Sequence, residues 1–206
     1  GGGTYTIIPD QIEAGTYMAA AAAVGGNVLI ENIIPKHLDC ITAKLREMGA
    51  RVTEYDDAIR VESTKRLRRA NVKTLPYPGF PTDMQPQIAA VLSIADGTSI
   101  ITEGVWDSRF RYVEQLTFMG ADIQVDGKMA VITGVECLKP SPVRAVDLRA
   151  GAAMIIAGLS ADGTTEIEEI DHIDRGYENV VEKFSALGAD IKRVKSFDNI
   201  KALKQA

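Results

Sequence analysis

Four charged residues of this sequence have the side-chain types that proton transfer beside an anionic substrate requires. A carboxylate can accept a proton from a hydroxyl group, and the planar guanidinium group of arginine binds a carboxylate or a phosphate through two parallel hydrogen bonds. The four are Asp83 in PTDMQ, Arg109 in SRF, Arg149 in DLRAG and Arg175 in DRGYE. If the fold brings them together, they would form a site for an acid–base reaction on an anion.

Each of these residues also has a simpler structural interpretation. The sequence TDMQ has the form of a capping box made by Thr82 and Gln85. An acid at Asp83, in the first helical turn, would favour the helix dipole by ~0.3–1 kcal/mol. Arg149 and Arg175 each have an acidic neighbour in the sequence, so an exposed ion pair worth ~0–1 kcal/mol would account for them. The pattern alone leaves both interpretations open.

A threefold internal repeat of about 70 residues predicts how the four residues are positioned. Glycines at 26, 97 and 163 each close an apolar segment, and glycines at 49, 120 and 188 follow them by 23, 23 and 25 residues. Asp83 and Arg149 both stand 14 residues before the first glycine of their units, where an apolar helix begins. Arg109 and Arg175 stand 11 and 13 residues before the second glycine. Because equivalent ends of repeated helices converge, we expect the four side chains on one face.

The elements of each unit follow one order: an extended segment, an apolar helix, a strand, an amphipathic helix ending at glycine, and a strand or hairpin. The first helices, near residues 13–24, 84–95 and 150–161, are apolar nearly all round, which indicates burial on every side. The strands alternate and would have one face in solvent. The predicted fold class is α/β (α+β), with three pseudo-symmetric βαβαββ units, apolar helices inside and mixed sheets outside.

The sequence predicts one threefold-repeat domain over residues 1–195, with units at 4–63, 71–134 and 143–195 and a C-terminal tail at 196–206. The third unit is incomplete, because it ends in a strand-like segment, IKRV at 191–194, that has no convincing partner. We therefore expect that a strand from outside this chain completes it.

Composition restricts the classes of function. The chain has 206 residues, of which 46% are hydrophobic, and its net charge of −5 argues against a general nucleic-acid binder. No apolar run has the length of a membrane span and no leader-like segment precedes the first unit, so a cytoplasmic protein without a membrane partner is expected. Cys40 and Cys137 are expected to be buried, reduced thiols, because their spacing does not suit a metal site.

Several longer strings closely resemble the enolpyruvyl transferases, and among them the UDP-N-acetylglucosamine 1-carboxyvinyltransferase family. The strings are IIPDQIEAGTYM, FPTDMQPQ, DSRFRYVEQLTFMGAD, AVDLRAGAAMIIAGL and DHIDRGYENVVEKFSALGADI. The resemblance covers part of that family's chain, which has two threefold domains, and this sequence is similar to the second. It implies that the first domain, with a mobile loop carrying a reactive cysteine or aspartate, is absent here. It also implies that the family's extreme amino terminus pairs with the third unit.

The resemblance implies a reaction and a role for each candidate residue. The reaction is transfer of the enolpyruvyl group of phosphoenolpyruvate to the 3-hydroxyl of UDP-N-acetylglucosamine, which opens peptidoglycan synthesis. Asp83 would be the catalytic base beside that hydroxyl. Arg109, Arg149 and Arg175 would surround phosphoenolpyruvate and its phosphate, and the backbone of Val105 would meet the sugar. No cofactor and no metal belong to this scheme. Both substrates would be shared with the first domain, so the chain alone is expected to be inactive.

Other functions stay open at this point. The shikimate-pathway enzyme, 3-phosphoshikimate 1-carboxyvinyltransferase, shares the fold and has an aspartate after a proline at the same helix start. A non-catalytic threefold scaffold, or a relative of the RNA 3′-phosphate cyclases, would also be built from such units. The cyclases have a nucleotide-linked histidine near the carboxyl end, and residues 179–206 contain no histidine. A scaffold would not need an aspartate and three arginines on one face, so their location distinguishes the alternatives.

Overall fold

The computed structural model describes residues 2–194, which form seven α-helices and nine strands. The helices are α1 (Gln11–Val24), α2 (Asp39–Met48), α3 (Gln85–Leu92), α4 (Val113–Phe118), α5 (Leu148–Leu159), α6 (Asp171–Asp174) and α7 (Val180–Ala186). The strands are β1 (Asn27–Glu31), β2 (Arg51–Glu54), β3 (Ala58–Glu62), β4 (Val72–Lys73), β5 (Thr98–Thr102), β6 (Asp122–Asp126), β7 (Met129–Thr133), β8 (Pro142–Arg144) and β9 (Glu166–Glu168). Short 3-10 turns, Pro35–Leu38 and Thr82–Met84, lead into α2 and α3.

Helices α1, α3 and α5 form the interior of the protein. Every residue of α3 is buried, as are most residues of α1 and α5. Alanine, glycine and aliphatic side chains cover these helices almost all round, so each one packs against the other two. A helix without a polar face is stable only when other elements cover it on all sides. The three predicted inner helices are confirmed.

The inner helices begin in different ways. The Asp10 carboxylate caps α1 by accepting a hydrogen bond from the backbone N–H of Ile12 at 2.7 Å. The Asp147 carboxylate caps α5 by accepting one from the backbone N–H of Ala150 at 2.8 Å. Helix α3 has no side-chain cap and is entered through the 3-10 turn that contains Asp83. The start of α3 must therefore be held by other contacts.

Three sheets lie outside the inner helices. The first has the antiparallel order β1-β3-β2. The second has the order β4-β5-β7-β6, in which β4 runs parallel to β5 and the other pairs are antiparallel. The third consists of the parallel pair β8-β9. The outer sheets that the sequence predicts are confirmed, and the second of them is mixed.

The first two units repeat with a constant offset. β1 and β5 begin at 27 and 98, β2 and β6 at 51 and 122, and β3 and β7 at 58 and 129, which is an offset of 71 in each case. The register repeats as well, because Asn27 pairs with Glu62 in the first sheet and Thr98 with Thr133 in the second. The described part of the third unit has only two strands, β8 and β9, so its sheet is incomplete as predicted.

Two segments expected to be extended or strand-like do not form strands. Residues 4–9 are exposed and form no strand, although their counterparts β4 and β8 pair with β5 and β9. The strand predicted at 191–194 is wrong, because among the described residues β9 has β8 as its sole neighbour and no strand lies against this segment. Arg193 instead forms two hydrogen bonds with the Asp174 carboxylate, at 2.6 and 2.8 Å. The predicted tail at 196–206 lies outside the described residues, and the domain boundaries stay a prediction.

Candidate functional site

The Asp83 carboxylate lies between two arginine side chains. Its Oδ1 accepts a hydrogen bond from Arg109 Nη2 at 2.8 Å, and its Oδ2 accepts one from Arg149 Nη2 at 3.1 Å. Arg149 is the second residue of α5, and Arg109 lies in the segment between β5 and α4. The structure therefore brings together three of the four charged residues that the sequence singles out, from two different units.

Partial burial strengthens these ion pairs. The exposed fraction of the side chain is 40% for Asp83, 23% for Arg109 and 16% for Arg149. A cation at the start of a helix is disfavoured by the helix dipole, and the Asp83 carboxylate offsets that conflict for Arg149. Burial lowers the pKa of Arg149, but the Tyr177 oxygen and the Asp83 carboxylate outweigh burial, so the net pKa lies above its ordinary value. Arg149 is therefore a permanent cation.

A buried polar cluster holds Arg149 from the side of the inner helices. The Tyr177 hydroxyl lies 3.5 Å from Arg149 Nη1 and 2.9 Å from Thr16 Oγ1. Gln87 Nε2 donates to both of these hydroxyl oxygens, at 3.4 and 3.2 Å. Thr16, Gln87 and Tyr177 belong to the first, second and third units, so the cluster lies where the units meet. It restricts the position from which Arg149 can reach Asp83.

Arg175 and Val105 do not join the ion pairs of Asp83. Arg175 stands two residues before Tyr177 in the sequence, but it is exposed and its Nη2 lies 2.7 Å from His172 Nδ1. Val105 is 38% exposed, and its backbone N–H donates to a Glu103 oxygen at 2.8 Å. The roles of Arg175 and Val105 in binding stay predictions.

The capping box predicted at Thr82 and Gln85 is wrong. Thr82 Oγ1 and Gln85 Nε2 both donate to Glu103 Oε2, at 3.0 and 3.2 Å, so neither side chain caps the helix. Glu103 is buried, and the sequence analysis did not identify it. Its only sequence signal is an acid directly after an apolar strand, a position that is usually exposed.

Other features of the chain lie away from Asp83. A cavity of about 310 Å³ lies at the C-terminal ends of the inner helices, the ends opposite to Asp83 and Arg149. Cys137 is exposed in the segment between β7 and β8, so the expectation of burial is wrong for this thiol. Cys40 is half-buried, and burial raises the pKa of its thiol.

Two features are absent from residues 2–194. No helix in this range is long and apolar enough to cross a membrane. No group of three or more His, Cys, Asp or Glu side chains in this range is placed to hold a metal ion.

The fold places the chain in the class of enolpyruvyl transferase domains. The enolpyruvyl transferase NikO from Streptomyces tendae has a similar structure, with a TM-score of 0.82 and 31% identity over 91% of this chain and 45% of that one. EPSP synthase from Acinetobacter baumannii has a TM-score of 0.68 at 19% identity, covering 93% of this chain and 45% of that one, and shows the same fold. The family model of EPSP synthase (3-phosphoshikimate 1-carboxyvinyltransferase) matches residues 1–184. The chain belongs to this family of carboxyvinyltransferases.

Curated relatives with higher sequence identity have UDP-N-acetylglucosamine, and not 3-phosphoshikimate, in their names. UDP-N-acetylglucosamine 1-carboxyvinyltransferase 3 of Caldanaerobacter subterraneus subsp. tengcongensis is 59% identical over 191 residues, which are 93% of this chain and 46% of that protein. UDP-N-acetylglucosamine 1-carboxyvinyltransferase of Clostridium botulinum is 57% identical over 193 residues, covering 94% of this chain and 46% of that protein. The chain spans about half the length of the curated relatives it matches.

Proposed function

We propose that this chain supplies one half of the active site of a UDP-N-acetylglucosamine 1-carboxyvinyltransferase. The observation that carries the proposal is the Asp83 carboxylate held between Arg109 and Arg149 at the starts of two inner helices. The relatives at 52–59% identity have UDP-N-acetylglucosamine in their names, and the family resemblance implies phosphoenolpyruvate as the second substrate. The other half of the site would come from sequence that these relatives have beyond the matched region.

The geometry suggests how an anionic substrate would activate Asp83. Both guanidinium groups are engaged by the Asp83 carboxylate in the unliganded chain. Phosphoenolpyruvate has a carboxylate and a phosphate, and each suits the guanidinium fork. When these anions take over Arg109 and Arg149, the Asp83 carboxylate is released from both guanidinium groups and its oxygens become available to another hydrogen-bond donor. Asp83 would then accept the proton of the sugar 3-hydroxyl, while the arginines stabilise the charge on the phosphate.

The remaining candidate residues have secondary places in this proposal. Arg175 is exposed on the segment that reaches Arg149 through Tyr177, so a rotation of its side chain could bring a third guanidinium to the phosphate. Val105 would meet the sugar through its carbonyl group, because its N–H is already bonded to Glu103. The scheme uses no cofactor and no metal. A cytoplasmic location and a role in peptidoglycan synthesis follow from the substrates named.

The alternative substrate is 3-phosphoshikimate, which is named in the family description. It is the weaker candidate, because the relatives at 52–59% identity have UDP-N-acetylglucosamine in their names. A non-catalytic scaffold accounts for the fold but gives no reason for a carboxylate and two guanidinium groups to converge between units.

A chimeric enzyme tests the proposal. This chain would replace the matched 191-residue region of the Caldanaerobacter relative, and phosphate release would be measured with phosphoenolpyruvate and each acceptor. We expect turnover with UDP-N-acetylglucosamine and none with 3-phosphoshikimate, while the chain alone releases no phosphate. A folded chimera that uses 3-phosphoshikimate, or neither acceptor, would contradict the proposal.

A further inference from the structure

Glu103 is a buried carboxylate that forms no salt bridge within the described residues, although Lys128 interacts with it electrostatically at longer range. Only 1% of this residue is exposed. Burying an ionised carboxylate is costly unless hydrogen bonds replace its water. Five donors surround it: Thr74 Oγ1 at 2.7 Å, Val105 N at 2.8 Å, Trp106 N at 3.1 Å, Thr82 Oγ1 at 3.0 Å and Gln85 Nε2 at 3.2 Å. All five groups donate hydrogen bonds to the carboxylate, so together they replace the water that burial removes.

The two oxygens of Glu103 hold different parts of the chain. Oε1 accepts from Thr74, which follows β4, and from the backbone N–H groups of Val105 and Trp106 in the loop after β5. Oε2 accepts from Thr82 and Gln85, on either side of Asp83 at the entry to α3. One carboxylate therefore joins the loop that leads to Arg109 with the turn that carries Asp83.

Close packing around Gly104 reinforces this junction. The N–H of Gly104 donates to Thr74 Oγ1 at 2.8 Å, so the threonine hydroxyl both donates to Glu103 and accepts from the next residue. A Cβ atom at Gly104 would collide with the Thr74 carbonyl oxygen. The loop therefore packs directly against the end of β4, and this packing restricts the position of Glu103.

The other two units serve as an internal comparison. Asn32 and Glu169 follow β1 and β9 as Glu103 follows β5, but both are exposed and have positive φ angles of 57° and 60°. The positions in the third unit equivalent to the three side-chain donors are Ala145, Leu148 and Gly151, none of which has a side-chain donor. The fold of a unit does not require the buried carboxylate. It occurs in the unit that carries Asp83.

From this arrangement we infer that Glu103 is a positioning residue, whose carboxylate sets the distance and orientation between Asp83 and Arg109. The inference rests on the proposed function only where it concerns the action of Asp83 and Arg109 on a substrate. The geometric claim concerns the chain itself and has its own test.

Nuclear magnetic resonance on the chain, with the variants Glu103→Ala and Glu103→Gln, tests the claim. The readouts are the hydrogen-exchange rates of the Val105 and Trp106 amides and the Nε–H resonance of Arg109. Trp106 is the only tryptophan and is 58% exposed, so quenching of its fluorescence reports the loop independently. The matched control is Gln115→Ala, which removes another buried side-chain acceptor, bonded at 2.9 Å to a backbone N–H of β8.

We expect Glu103→Ala to accelerate exchange at Val105 and Trp106 by at least about tenfold, because each amide loses a charge-assisted acceptor. The Arg109 resonance should move toward that of a free guanidinium group. Glu103→Gln should restore both signals in large part, since it keeps one carbonyl oxygen for the loop amides. The control should change neither. A folded Glu103→Ala protein with unchanged exchange and an unchanged Arg109 resonance would overturn the inference, as would equal changes in the control.

A second pair of variants applies if Glu103→Ala does not fold. Thr82→Val removes a donor to Oε2 and should shift the ¹³C carboxyl resonance of Asp83 while Val105 and Trp106 stay protected. Thr74→Val removes a donor to Oε1. It should accelerate exchange at Val105 and Trp106 and leave the ¹³C carboxyl resonance of Asp83 unchanged. Identical patterns in the two variants would overturn the inference. These readouts need no substrate, so an inactive chimera would count against the proposed function and leave them unaffected.

Discussion

At the scale of single residues, Asp83 occupies the place that an anionic ligand would take between Arg109 and Arg149. The three side chains are partly buried, and both carboxylate oxygens are used. Because both oxygens accept hydrogen bonds from arginines, we expect the Asp83 carboxylate to become available to a substrate hydroxyl only after another anion engages Arg109 and Arg149. In the proposed scheme, anion binding by the arginines is therefore coupled to release of the Asp83 carboxylate.

This coupling predicts that Asp83→Asn binds inorganic phosphate more tightly than the unmodified chain. Asparagine keeps the shape but removes the charge that competes for Arg109 and Arg149, and partly exposed ion pairs of this kind are worth ~0.2–1 kcal/mol each. We expect the dissociation constant for phosphate to fall about two- to tenfold, as measured by titration of the arginine Nε–H resonances. Asp107→Asn is the control, because Asp107 is exposed in the same loop and pairs with Lys128. Equal or weaker binding by Asp83→Asn would contradict the coupling.

Arg149→Lys should weaken phosphate binding by about tenfold, because lysine keeps the charge but loses the planar fork and the contact with Tyr177. The same titration measures this effect. Arg144→Lys, at an exposed arginine that pairs with Glu168, should bind phosphate like the unmodified chain. Undiminished binding by Arg149→Lys would remove Arg149 from the anion site.

The residues of the site differ in how well the sequence predicts them. Asp83 and Arg149 stand at the same position of their units, so the repeat alone places both at the starts of inner helices. Glu103 carries no such signal, since its burial depends on three side chains that are distant in sequence. Thr82 and Gln85 have the spacing of a capping box, but the buried carboxylate competes for both side chains and prevails. Local patterns fail here because a tertiary contact offers a charged acceptor.

At the scale of elements, glycines on the inner helices allow neighbouring elements to pack closely against them. Gly151 of α5 faces Ile173 and Ala145, and Gly15 of α1 faces the side-chain ends of Ile41 and Met84. The sequence predicts these helices as buried because they have no polar face. The strand predicted at 191–194 fails for the complementary reason: a strand depends on a partner, and sequence alternation alone does not show whether one is present.

The two glycines should respond differently to alanine. Gly151→Ala should lower the free energy of unfolding by about 1–3 kcal/mol, because the new methyl group would overlap the branched part of Ile173 and the Cβ of Ala145. Gly15→Ala should be close to neutral, since flexible side-chain ends can move and alanine favours a helix by about 1 kcal/mol over glycine. Urea unfolding of both variants measures the difference. Equal losses would contradict this account of the packing.

At the scale of the whole molecule, three units converge on one polar cluster, and the third sheet is shorter than the others within the described chain. The sequence predicts the inside-out layering from periodicity alone, whereas the substrate pair comes from the resemblance and from the relatives. The chain spans about half of those relatives. The Asp83 side chain is 40% exposed, and the proposal assigns further contacts with both substrates to a second domain.

Turnover by the chimeric enzyme with Asp83→Asn tests the central claim most directly. If Asp83 is the base, the rate of phosphate release from phosphoenolpyruvate in the presence of UDP-N-acetylglucosamine should fall by ~10²–10⁴-fold. The melting temperature should fall by only about a few degrees, because Asp83 does not cap α3 and its two ion pairs are partly exposed. Near-normal turnover in a folded Asp83→Asn chimera would contradict the account and leave Asp83 as an ion-pair partner of the two arginines.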